Sequence, residues 1–169
     1  MTSFKPIKVL HIFMCSTLIF IHTAWAQDSL KRSTQTQLTW LIKLAHLSTL
    51  QEANDSLEIR GYRLSHENEN GTDVTIIYRH NISRKLILIS SDDGERITSC
   101  TYSVDTKTIF DQAITLVKAK GFHSFKGFNS SDGELAFAKE NSLVVFSSKA
   151  SKNGMTYLIV TSKLNLELP

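Results

Sequence analysis

Residues 55–65 read DSLEIRGYRLS, and residues 115–125 read TLVKAKGFHSF. Each runs from a helix-like stretch through Gly and an aromatic residue into a strand-like stretch. Glycine just past the last periodic apolar residue is a helix stop, because it enters the left-handed region without a Cβ penalty. Working outward from Gly61 and Gly121, the neighbouring residues fall into the same order twice. Upstream of Gly61, Leu50, Ala53 and Leu57 share a helical face, with Ser48 as the expected cap and Glu52 near it. Upstream of Gly121, Phe110, Ala113, Ile114 and Val117 do the same, capped by Asp105 or Thr106. Ala53 thus matches Ala113, Gly61 matches Gly121 and Tyr62 matches Phe122.

Four strand signals follow each glycine. After Gly61 they are 62–66, 73–79, 85–91 (KLILISS) and 96–104 (RITSCTYSV), separated by ENENG, HNIS and the hairpin signal DDGE. After Gly121 they are 122–128, 134–139 (ELAFAK), 142–148 (SLVVFSS) and 155–163 (MTYLIVTSK). The expected fold class is therefore α+β: a tandem duplication of a helix plus a four-stranded antiparallel meander. One unit alone leaves a sheet edge and an apolar face uncovered. Two units joined edge to edge, with helices on one face, resolve both.

The start of the chain reads differently. Lys5 and Lys8 precede an apolar run over 9–21, and Ala24-Trp25-Ala26 ends it, the three parts of a secretory signal peptide cleaved after Ala26. The run is too short for a stable membrane anchor. Expected boundaries are 1–26 signal peptide, 27–36 flexible polar leader, 37–104 first repeat (a short helix from Leu38 ahead of the capped one) and 105–169 second repeat, the two repeats forming one compact domain. The expected location is periplasmic or extracellular.

Composition excludes several classes of function. The formal net charge of +3 falls to +1 once Lys5 and Lys8 leave, and no dense basic stripe for nucleic acid exists. Cys100 is the single cysteine beyond the leader, so no internal disulfide forms, and its strand-like surroundings predict a buried apolar role. Histidines 46, 66, 80 and 123 are scattered, without metal-ligand spacing. His66 with Glu67 and Glu69 reads as a polar loop, and DDGE lacks the oxygen spacing of a calcium loop. No G-x-S-x-G, H-E-x-x-H or phosphate-loop motif is present. These readings predict no cofactor, no metal and no enzyme. Four N-x-S/T sequons stand at Asn54, Asn70, Asn81 and Asn129, where turns are expected for most.

The plan of two helix-plus-four-strand units in an exported chain resembles the tandem layout of the beta-lactamase inhibitor proteins. The resemblance implies an eight-stranded sheet whose concave face grips another protein. In general style the chain also resembles small exported proteins of Bacteroidota-type bacteria.

One surface is singled out by alternation. With Val74, Ile76, Tyr78, Cys100 and Tyr102 under the helices, the other face carries Thr75, Ile77, Arg79, Ser99, Thr101 and Ser103. In the second half it carries Glu134, Ala136 and Ala138. Small hydroxyls among apolar side chains suit docking to a protein partner at low entropic cost. The expected function is a binding protein, such as an inhibitor or immunity protein. The alternative is a carrier holding a small apolar ligand between helices and sheet.

Overall fold

The computed structural model describes residues 28–83, 85–126, 134–152 and 154–164. The expected signal peptide and the 127–133 connection, with the sequon at Asn129, lie outside these. Three helices and one eight-stranded antiparallel sheet make up the described chain. Helix α1 covers residues 28–45, and α2 is Leu50–Ile59. Strands β1 (Tyr62–Asn70), β2 (Asp73–His80), β3 (Leu86–Ser91) and β4 (Ile97–Val104) form the first meander. Helix α3 (Lys107–Ala119) leads to the second, made of β5 (His123–Ser124), β6 (Glu134–Lys139), β7 (Ser142–Ser151) and β8 (Gly154–Lys163).

The strand order is β1-β2-β3-β4-β8-β7-β6-β5. The last strand of each meander therefore pairs with the last strand of the other, and Thr101 opposite Val160 sits mid-seam. The two glycine corners repeat in detail. Arg60 and Lys120 end α2 and α3 with nearly equal dihedrals (φ −92°, ψ 9° and φ −82°, ψ 4°). Gly61 and Gly121 follow at φ 81° and 83°. Tyr62 and Phe122 then turn into the core.

Several elements depart from the sequence reading. Residues 28–36, expected as a loose leader, are helical. The inward positions of α1 there include Thr34, 6 % exposed, whose hydroxyl donates to the Leu30 carbonyl at 2.9 Å. A buried threonine in the apolar stripe hides the helical period. The α2 cap is Thr49 and not Ser48: its hydroxyl accepts from the Glu52 amide at 3.2 Å, and Glu52 accepts from the Ser48 amide at 2.9 Å. Glu52 thereby occupies the third helical position, the usual place for such a reciprocal cap. Thr106 caps α3. Strand β1 runs through ENEN to Asn70, because an outer strand needs no apolar face. Asn70 pairs with Asp73 around Gly71 at φ 66°, a two-residue hairpin that favours positive φ. Asn54 lies within α2, whereas Asn70 and Asn81 flank turns.

The core lies on one side of the sheet. Leu38, Leu41, Leu44 and Ala45 of α1, Ala53 and Leu57 of α2, and Phe110, Ala113 and Val117 of α3 join one cluster. Their partners there include Ile76, Tyr78, Ile87, Ile89, Cys100, Tyr102, Val144, Phe146 and Ile159 from the strands. Burial pushes the Cys100 thiol up to about 12, so it is an inert apolar group at neutral pH. Phe110 and Phe137 each meet Phe146 edge-on, with ring centres 5.5 and 5.9 Å apart.

Candidate functional site: the uncovered sheet face

Cross-strand partners point to the same side of a sheet, so the register tells which residues share the face opposite the helices. A middle row runs His66, Ile77, Leu88, Thr101, Val160, Val145 and Ala136 across seven strands. A second row runs Asn68, Thr75, Ser90, Ser99, Ser162, Leu143, Ala138 and His123. The third begins with Arg63 opposite Arg79, then Leu86. The Leu86 amide meets the Ser103 hydroxyl at 3.5 Å, and the row continues through Leu158 and Ser147 to Glu134.

All nine residues anticipated from alternation fall on these rows. Thr75, Ile77, Ser99, Thr101, Ser103, Glu134, Ala136 and Ala138 are partly exposed, and Arg79 is exposed. The sequence reading missed Leu86, Leu88, Leu158 and Val160, equally partly exposed. It also missed the hydroxyl line Thr75–Ser90–Ser99–Ser162. None of Ile77, Leu86, Leu88, Leu158 or Val160 belongs to the core cluster.

The face is not uniform. Leu143, Val145 and Ser147 of β7 are buried, at 9, 5 and 5 % exposure, although Leu143 and Val145 stand outside the core cluster. The accessible part is therefore centred on β2, β3, β4 and β8. Its charge is concentrated at one corner, where Arg63 and Arg79 face each other beside His66. Arg63 reaches Glu58 at 3.2 Å, while Arg79 forms no ion pair among the described residues. At the far end Glu134 accepts from the Ser147 hydroxyl at 3.1 Å.

Other polar arrangements are smaller. Among the described residues no group of three or more His, Cys, Asp and Glu side chains is placed to hold a metal ion. Asp93 instead accepts from the amides of Arg96 and Glu95, at 2.8 and 3.0 Å, closing the DDGE loop. Those backbone bonds hold its carboxyl below the usual range. Ser142 Oγ lies 2.9 Å from His46 Nε2, a nucleophile–base distance. No carboxylate among the described residues hydrogen-bonds that ring to orient it, and the pair joins the end of α1 to the start of β7. Burial, with Lys163 nearby, lowers the His46 pKa from 6.5.

Between α1, α3 and the sheet lies a cavity of about 100 Å³, lined by Leu30, Gln37, Leu38, Lys85, Tyr102 and Ile159 among others. Ligand pockets for drug-sized molecules are roughly 300–1,000 Å³. Among the described residues no helix is long and apolar enough to cross a membrane. Comparison with protein-family models, curated proteins and solved structures finds no match to this chain.

Proposed function

We propose that this chain is an exported, non-enzymatic binding protein that docks a protein partner on the uncovered sheet face, as an inhibitor or immunity protein does. The observation that carries the reading is the apolar band Ile77–Leu88–Thr101–Val160. It runs across four adjacent strands, outside the core cluster and away from every helix. Antiparallel sheets usually show water a polar outer face, and contiguous exposed apolar surface marks an interaction site. The flanking serines and threonines supply hydrogen-bonding groups with little side-chain entropy to lose. The Arg63–Arg79 corner beside His66 sets the partner's charge. Arg63 and Arg79 are cross-strand neighbours; Arg63 already pairs with Glu58, which leaves Arg79 to attract a carboxylate of the partner.

The matched corners at Gly61 and Gly121 support descent of both halves from one helix-plus-meander unit. The seam between β4 and β8 then acts as the join that makes one broad face from two narrow ones. The likeness in layout to the tandem inhibitors is part of this proposal; the assignment of partner rests on the face alone.

The test is affinity capture from the native envelope and culture fluid with the tagged chain, beside Thr75→Arg and Thr101→Arg variants. One stoichiometric protein should be captured by the parent and lost from both variants, whose melting temperatures stay close to the parent's. Capture retained by both variants would remove the sheet face as the docking site.

A further inference from the structure

A groove on the opposite side of the molecule has a different chemistry. It has a volume of about 650 Å³ and is lined by Arg32, Gln35, Thr36, Thr39, Trp40, Lys43 and Arg60. Its cations come from two elements. Arg32, Thr36, Thr39 and Lys43 are spaced by four, three and four residues, one stripe of α1. Arg60 enters from the end of α2, its guanidinium 4.4 Å from the centre of the Trp40 ring. Among the described residues no acidic side chain lines the groove.

The state of each cation matters. Stacking on Trp40 holds Arg60 in place, so less of its freedom remains to be lost on binding an oxyanion. Trp40 is held in turn: its indole N–H donates to Ser56 Oγ at 3.1 Å, and its ring stacks on Tyr62 with centres 6.0 Å apart. Neither Arg60 nor Lys43 has an ion-pair partner among the described residues. Arg32 is paired with Asp28 at 2.9 Å, but both are well exposed, and such a pair is weak enough to yield to a stronger anion.

Spacing selects the kind of anion. Eleven residues of helix separate Arg32 from Lys43, about 16 Å at the usual rise per residue. One phosphate cannot bridge that, whereas a chain bearing successive anionic groups can. Nucleic acid fits poorly, because base stacking needs an open aromatic face and Trp40 is only 8 % exposed beneath Arg60. We infer that this groove binds a linear, base-free polyanion carrying repeated phosphate or sulfate groups along α1, with Arg32, Lys43 and Arg60 as the cationic contacts.

Trp25 and Trp40 are the only tryptophans, so in a Trp25→Phe chain the indole emission reports Trp40 alone. Long-chain inorganic polyphosphate, titrated into that full-length chain, should change the emission saturably. Affinity should fall steeply with added sodium chloride. Lys43→Gln should weaken binding several-fold and lower the salt slope by about one unit, as losing one phosphate contact does. Arg32→Gln should act similarly, with circular dichroism confirming that each variant is folded. Orthophosphate at equal phosphorus concentration should give no comparable response. Any of three results overturns the inference: no emission change, a response to orthophosphate of the same size, or affinity unaltered in both variants.

Discussion

The Thr161 hydroxyl donates to the Leu41 carbonyl at 3.1 Å, across 120 residues of sequence. This bond fastens the C-terminal part of α1 to β8, beside the seam between the meanders. Thr161 is 1 % exposed, and the Cys100 carbonyl lies 3.4 Å from the same oxygen. Thr161→Val keeps the shape but removes the donor, and should cost about 1 kcal/mol, the net value of a neutral hydrogen bond. Thr161→Ala adds a void and should cost roughly 2 kcal/mol. Urea unfolding of the two variants checks both values. A parent-like midpoint for the valine variant would show that the bond contributes nothing.

Gly61 and Gly121 have almost the same φ but different surroundings. An added Cβ at Gly61 would sit 3.3 Å from His80 Nε2, whereas at Gly121 the nearest atom is Lys139 Nζ at 4.0 Å. Alanine at either position meets the left-handed strain, about 1–2 kcal/mol. Gly61→Ala should lose more than Gly121→Ala, because the His80 ring is packed edge-on against Tyr62, with centres 5.0 Å apart. Thermal unfolding of both variants reads the order. Equal losses would mean that His80 moves aside freely.

His46 provides a pH dependence with a definite sign. Its folded pKa is depressed below 6.5, so below that pH the unfolded chain binds more protons than the folded one. Its contribution to stability is complete above 6.5 and falls as the pH drops through and below that value. His46→Gln should therefore lose less stability than the parent between pH 7.5 and pH 5. Melting curves at both values give the difference, with the carboxylates common to both chains. A parent-like loss in the variant would show that His46 does not titrate differently on folding.

Period-two alternation made part of the uncovered face legible. In β4 polar and apolar residues alternate, so Ser99 and Thr101 separate cleanly from Cys100 and Tyr102, while in β2 the polar Thr75 and Arg79 fix the period that carries apolar Ile77 to the outer face. Strands β3 and β8 are apolar on both sides. Nothing in LILIS or YLIVT says whether Leu88 or Ile89, Val160 or Ile159, meets the helices; only pairing with β4 decides. The α1 groove was hidden for a related reason. Arg32 stands in a polar run that does not read as helix, and a buried Thr34 breaks the stripe that would have revealed one. Arg60 comes from another element, and sequence distance gives no hint that it stacks on Trp40.

The strand order has a consequence for synthesis. The ribosome delivers β8 after the other seven strands, yet its place is the middle of the sheet and not an edge. Until residues 157–163 emerge, β4 presents an unpaired row of amides and carbonyls, and β7 lacks its ladder on that side. The β1–β4 meander is synthesised whole before the second begins, but the broad surface exists only after the final insertion. A nascent chain therefore carries the first ribbon with an open flank from the time β4 emerges until the last strand arrives.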